Sequence, residues 1–284
     1  KKEKIMQDVL KLLEQDEWRI IDQSSLGPLF HPLQSFGIDD TLCEVVGTGK
    51  SPAVARSWVH YNSVILGIQD VRLPHLKEGL QYLESEGLRY IVRTSGGLAV
   101  YLDEGVLNLT LVFPEKEKGI DIDSGYEAMY KFVQEMFADL TDEIEAGEIV
   151  GSYCPGSYDL SINKKKFAGI SQRRVKKGVA VQIYLCVTGS GSKRAEIIRN
   201  FYEKSIQQEE TKATYPDVKP EVMASLNELL GTNLTINDCM LRFLKVLQKV
   251  SKGKFYSSEL QGEEITLYEH YYNRVVDRNE KWLP

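Results

Sequence analysis

Four cysteines and four histidines are all that this 284-residue chain offers towards a metal centre or a disulfide framework. Cys43, Cys154, Cys186 and Cys239 are scattered, with no CxxC pair and no histidine cluster nearby. That spacing does not read as a zinc site. No apolar run approaches the ~20 residues of a membrane span, and no signal peptide is visible at Lys1-Lys-Glu-Lys. The expectation is therefore a soluble, cytoplasmic protein with reduced thiols and no membrane role. Positive charge is also in short supply: 35 Lys and Arg against 41 Asp and Glu leave a net charge of −6. This argues against nucleic-acid binding through bulk charge, although Lys164 to Lys177 could form a local patch for an acidic protein. Gly47-Thr-Gly-Lys-Ser-Pro52 lacks the full spacing of a phosphate-binding loop. Internal repeats and low-complexity tracts are missing as well.

What is present reads as mixed α/β up to about residue 189 and as helix beyond it. Apolar periodicity predicts helices over 1–17, 35–48 (with Ser35 as a cap), 74–86 and 122–140. Extended segments are expected at Trp58–Gly67, Leu88–Arg93, Gly97–Leu102, Val106–Phe113, Ser157–Ile162, Phe167–Gln172 and Val179–Val187. Gly189-Ser-Gly-Ser192 reads as a flexible link. Helices follow at 194–202, at 220–230, after Thr235 or Asn237, and at 263–276. The resulting division is a catalytic domain of residues 1–189 and a helical segment of residues 190–284 packed on it.

Three features could carry chemistry. Cys43, Cys186 and Cys239 sit among Leu, Val and Ile, as buried structural cysteines do. Cys154 lies instead in Gly151-Ser-Tyr-Cys-Pro-Gly-Ser157, where small neighbours leave room for a substrate. Local residues leave both a nucleophile and an ordinary turn cysteine open. In Lys164-Lys-Lys166 the first two suit a solvated hairpin tip, while Lys166 starts the returning strand. A lysine beside a thiol favours the thiolate. Arg93-Thr-Ser-Gly-Gly-Leu-Ala-Val100 is a candidate ligand loop or a tight turn. His31, His60, His75 and His270 lie far from Cys154 in sequence, and Tyr268, Tyr271 and Tyr272 have the spacing of docking residues on a helix.

Taken together and in order, Trp58, Val64-Ile-Leu-Gly67-Ile-Gln69, Arg93-Thr-Ser-Gly-Gly-Leu-Ala-Val100, Leu107-Asn108-Leu-Thr and Lys166-Phe-Ala-Gly-Ile-Ser-Gln172 resemble the biotin/lipoate protein ligase and octanoyltransferase superfamily. The likeness spans roughly residues 40–190. Within it, Tyr153-Cys-Pro-Gly-Ser-Tyr-Asp-Leu-Ser-Ile is similar to the branch that takes octanoyl groups from the glycine cleavage system H protein. The resemblance implies an α+β fold of mostly antiparallel sheets with flanking helices. It implies an acyltransferase that moves octanoyl from a lysine of the octanoylated H protein to a lysine of the apo lipoyl domains of 2-oxoacid dehydrogenases. It implies no metal, nucleotide or other cofactor, and no nucleic-acid partner. Cys154 is the implied acyl carrier and Lys166 the lysine that activates it. Arg93, Ser95, Gly96, Gly97 and Ala99, with Phe167, Ala168, Gly169, Ser171 and Gln172, are the implied substrate-binding residues. Leu98, Val100 and Phe167 are candidates for the lining of an acyl tunnel. A histidine that follows the Gly-Gly strand in many relatives is Leu102 here, so no role is carried over from it.

The expected mechanism has Lys166 holding the thiolate as an ammonium and exchanging the proton of the amine, with backbone N–H groups from Gly169 to Ser171 on the oxyanion. Alternatives are a transferase using octanoyl-acyl carrier protein, an ATP-dependent lipoate-protein ligase, and a non-catalytic lipoyl-domain binding protein.

Overall fold

Alternation along two strands sorts the whole interior. In β6 (Val106–Pro114) and β10 (Gly178–Cys186), residues Leu107, Leu109, Leu111 and Phe113 share one face with Val179, Val181, Ile183 and Leu185. Val106 and Val112, with Ala180, Tyr184 and Cys186, turn to the other face. Successive side chains on a strand point to opposite sides, so two hydrophobic clusters form, one on each face of a sheet buried on both sides. The computed structural model describes residues 9–115 and 119–284.

That sheet has eight strands in the order β11-β1-β2-β6-β10-β9-β8-β7. Its members are β1 (Glu17–Gln23), β2 (Ala53–Trp58), β6, β7 (Glu145–Ala146), β8 (Leu160–Ile162), β9 (Lys165–Val175), β10 and β11 (Lys254–Ser257). The β11-β1-β2 end is parallel, and the remaining pairs are antiparallel. A second sheet of three strands, ordered β4-β3-β5, comprises β3 (Ser63–Leu66), β4 (Arg89–Val92) and β5 (Val100–Leu102). Helix α1 (Pro32–Gly47) and the small sheet fill the first cluster; α3 (Ile122–Met136) and α6 (Ile236–Val250) fill the second. The remaining helices are α2 (Leu76–Ser85), α4 (Gly191–Ile206), α5 (Leu226–Leu230) and α7 (Glu263–Trp282).

Several sequence expectations are corrected. Helix α1 begins at Pro32, not Ser35, because His31 forms a reciprocal capping box with Gln34 and Pro32 occupies the first turn. The single strand expected over Trp58–Gly67 is two strands in different sheets, broken at residues 59–62, where Asn62 adopts φ 43°. Gly189-Ser-Gly-Ser192 is no flexible link: Ser190 accepts the Lys193 N–H and caps α4. The helix expected over 220–230 is a 3₁₀ turn at Pro220–Val222 followed by α5, capped by Ser225 with Glu228. Beyond residue 189 the chain is not all helix, since β11 pairs with β1 at the sheet's edge. Of the helix expected over 1–17, residues 1–8 lie outside the described residues, and 9–13 are helical. Tyr271 and Tyr268 do dock α7: Tyr271 donates to Glu44 of α1, and Tyr268 packs against the first cluster. Among the described residues no helix is long and apolar enough to cross a membrane.

Candidate active site

Cys154 stands in a loop that the chain bends sharply. Its φ of 45° lies in the left-handed region, which costs a non-glycine residue roughly 1–2 kcal/mol. Lys166 holds the bend. Its ammonium donates to the carbonyls of Tyr153 at 2.9 Å and Cys154 at 3.0 Å, and pairs with Asp159 at 2.8 Å. Lys166 and Asp159 are 0 % and 2 % exposed, so this is a fully desolvated ion pair, held by geometry that also satisfies its other lone pairs. Asp159 accepts the N–H groups of Ile149 and Gly156, both at 3.1 Å. Burial raises its carboxyl pKa, opposed by the Lys166 ammonium and these N–H donors. The carboxylate thus gathers both ends of the cysteine loop around one charge.

The sulfur itself faces other donors. Leu98 N–H reaches Cys154 Sγ at 3.2 Å and Arg93 Nη2 reaches it at 3.4 Å. Arg93 Nη2 also donates to the Leu98 carbonyl at 2.6 Å, so one guanidinium joins the loop to the thiol. Gly97, at φ 105°, makes the approach feasible. A Cβ there would lie 2.4 Å from the Arg93 guanidinium and 2.9 Å from the sulfur, whereas one at Gly96 would meet nothing. Of the Gly-Gly pair, only the second is required sterically. Tyr202 steadies the outgoing chain: its hydroxyl accepts Ala99 N–H at 3.2 Å and donates to Asp70 at 2.8 Å. Asp70 in turn accepts Gly67 N–H at 2.7 Å, and burial pushes its carboxyl up to about 6.

Beneath the sulfur is a cavity of about 240 Å³. Phe36, Trp58, Ile65, Val100, Leu102 and Ile183 supply apolar wall, and Arg93, Gly97, Cys154 and Asp159 border it. Its floor rests on a buried polar network in which Asp39 accepts from Arg56 at 2.8 Å, Thr110 at 2.9 Å and Gln182 at 2.7 Å. Gly169 keeps β9 close to the Tyr184 ring, which a Cβ would meet at 2.7 Å. Ser171 donates to Gln182 at 3.2 Å, and Gln172 to the Ile122 carbonyl at 2.6 Å.

The structure brings Cys154, Arg93, Gly96, Gly97, Gly169, Ser171 and Gln172 to one cavity. Ser95, buried with an unpartnered hydroxyl, and Ala99, fully buried, are not among the residues that line it. Phe167 and Ala168 do not line it. Both belong to the second cluster: Ala168 pairs with Leu185 on that face, and the register shift opposite Leu160/Ser161 interrupts the alternation, so its neighbour Phe167 turns the same way. Leu98 contributes its N–H rather than a wall. The polar contacts of the Lys166 ammonium are to backbone, Ser152 and Asp159, and the sulfur's donors are Arg93 and Leu98. Sequence reasoning missed Asp159, Trp58, Phe36 and Tyr202. Only Asp159 had a local signal, an acid just after a Pro-Gly turn.

A family model described as the lipoyl protein ligase A/B catalytic domain matches residues 31–248. The chain is 58% identical over 273 residues to a protein of Geobacillus kaustophilus named octanoyl-[GcvH]:protein N-octanoyltransferase, covering 96% of each chain. It is 50% identical over 272 residues to a Listeria monocytogenes protein named lipoyl-[GcvH]:protein N-lipoyltransferase, covering 96% of this chain and 98% of that one. Among solved structures, a lipoate-protein ligase A bound with ATP superposes with a TM-score of 0.68 at 17% identity, over 92% of this chain and 95% of that one. At that identity the likeness is one of fold.

Proposed function

The chain belongs to the lipoyl protein ligase A/B catalytic domain family, and from that premise we propose that it is an N-octanoyltransferase using a thioester on Cys154. Its donor is the octanoylated glycine cleavage system H protein, the partner in the names of its relatives. Its acceptors are lysines of the apo lipoyl domains of 2-oxoacid dehydrogenases. The observation that carries this reading is the Cys154 sulfur, set over an apolar cavity with Arg93 and Leu98 N–H aimed at it. An acyl-adenylate ligase has no use for a thiol placed there.

In the first half-reaction the thiolate adds to the amide carbonyl, and its π electrons move to oxygen. When they return, the C–N bond breaks. The departing lysine nitrogen takes a proton, the free amine leaves, and an octanoyl thioester remains. In the second half an acceptor amine adds to the thioester, loses a proton, and expels the sulfur as thiolate. One proton is thus lent and recovered per cycle. Lys166, paired with Asp159 at the foot of the loop, is assigned this exchange. To deliver the proton, its ammonium must trade a backbone carbonyl for the departing nitrogen. Arg93 and the Leu98 N–H donate to the sulfur and orient it before attack and after each collapse. At ~0.8 kcal/mol per buried methylene, the cavity wall contributes on the order of 5 kcal/mol to holding an octanoyl tail.

Intact mass after mixing with octanoylated H protein tests the reading. An octanoyl adduct on Cys154, removable by hydroxylamine and formed without ATP, is expected. Transfer that requires ATP and leaves no adduct would establish a ligase, and an unchanged rate in Cys154→Ala would overturn the thioester.

A further inference from the structure

We propose that the C-terminal helix α7 is a positioning strap for the reactive thiol. Arg278 and Asn279 fix the backbone of Val92 and Arg93, so that the Arg93 guanidinium meets the Cys154 sulfur. The inference rests on the reading of Cys154 as the nucleophile.

Strand β4 is an outer member of the small sheet, so one side of Val92 has no neighbouring strand. Asn279 takes that place. Its side chain accepts Val92 N–H at 2.7 Å and donates to the Val92 carbonyl at 3.0 Å, a two-point pairing like that of a further strand. A third bond, to the Val275 carbonyl at 2.8 Å, fixes the amide's orientation on α7. The residue just past the end of β4 is held as well: Arg278 Nε donates to the Arg93 carbonyl at 3.1 Å. Arg93 is therefore gripped at its backbone by α7 while its side chain reaches the sulfur.

The helix that grips it is anchored elsewhere. Glu264, in its first turn, accepts two bonds from Arg19 of β1 at 2.7 and 2.8 Å, and Tyr271 donates to Glu44 of α1. Gly37 of α1 has no side chain, and a Cβ there would lie 3.1 Å from the Tyr272 backbone. The strap thus ties the small sheet, which carries Arg93, to the large sheet through α1 and β1. Neither Arg278 nor Asn279 lines the cavity, so their action passes through Arg93.

Alkylation of Cys154 by iodoacetamide tests this in the full chain without any acyl donor. Arg278→Ala and Asn279→Ala are expected to slow alkylation at pH 7 by about two- to tenfold, the weight of one hydrogen bond. Arg278→Lys, which keeps a donor, should recover most of the loss, and Glu280→Gln on the exposed side of α7 should change nothing. An unchanged rate at pH 7 in Arg278→Ala, whatever its melting temperature, would overturn the strap and leave α7 a purely structural helix. Should Asn279→Ala fail to fold, the Arg278 pair decides alone. A missing octanoyl adduct in the mass experiment would count against the transferase and leave this result standing.

Discussion

The loop of residues 149–159 brings the sulfur, and the loop of residues 93–99 brings its donors. They are held in different ways. Around the cysteine, one ion pair does most of the ordering: Lys166 grips two carbonyls, and Asp159 gathers two N–H groups and the ammonium, all between residues 149 and 166. Residues 219–224 back this stretch with a few backbone contacts, such as Lys219 N–H to the Gly151 carbonyl at 2.7 Å. Around Arg93 the anchors arrive from distant parts of the chain. Tyr202 lies on α4, Arg278 and Asn279 lie on α7, and four of their six bonds join uncharged groups. A charged local clamp concentrates its energy in one pair, while a distributed lattice spreads it over many weak links. Damage should therefore be severe in the first loop and graded in the second.

The largest effect is expected from Lys166→Met. It strands the buried Asp159 carboxylate, and breaking such a pair costs about 3–5 kcal/mol. Urea unfolding should show that loss together with the disappearance of octanoyl adduct. A variant that stays as stable as wild type and still acylates would break the contrast.

Next is Asp70→Asn, read as a pH dependence. Burial raises the Asp70 carboxyl from 3.8 to about 6, so between those values the folded state binds more protons than the unfolded one. Stability from this group therefore falls as pH rises from about 4 to about 6, by about 3 kcal/mol in all. His60 acts in the opposite direction: desolvation lowers its pKa to about 3, and the stability it contributes is lost as pH falls from 6.5 towards that value. The difference between Asp70→Asn and wild type isolates the carboxyl. It should move in the variant's favour between pH 4 and pH 7, and a flat difference would refute the assignment.

Smallest is Tyr202→Phe. Losing the hydroxyl between Ala99 N–H and Asp70 should cost about 1–2 kcal/mol and slow Cys154 acylation severalfold, as the Leu98 N–H loses its register. Loss of all acylation would mean that the distributed anchors are as brittle as the ionic one.

Much of this site could be read from the chain. Cys154 and Lys166 stood out because Gly and Pro surround the thiol and because the lysine opens a strand. Gly97 and Arg93 stood out as a loop entered by a cation. The sequence could not assign Phe167 to a face, since adjacent β8 and β9 shift register at Leu160/Ser161 and parity alone then misleads. Nor could it foresee Asn279, because an asparagine pairing with a strand edge looks like any other helix-surface amide. The strand at Lys254–Ser257 was missed because its side chains are exposed on both faces and carry no alternation.

By itself, then, the sequence determined the local parts. The period-two pattern of β6 and β10 divides the interior into two clusters, and small residues around 97 and 154 permit tight backbone. Those are short-range preferences that neighbouring residues set by sterics and burial. Tertiary structure alone decided that Arg93 and Leu98 would meet the sulfur of Cys154. Their meeting depends on how the small sheet sits against the large one, held by α4 and by the strap of α7. That placement is the sum of contacts between residues more than a hundred positions apart, and no local pattern encodes it.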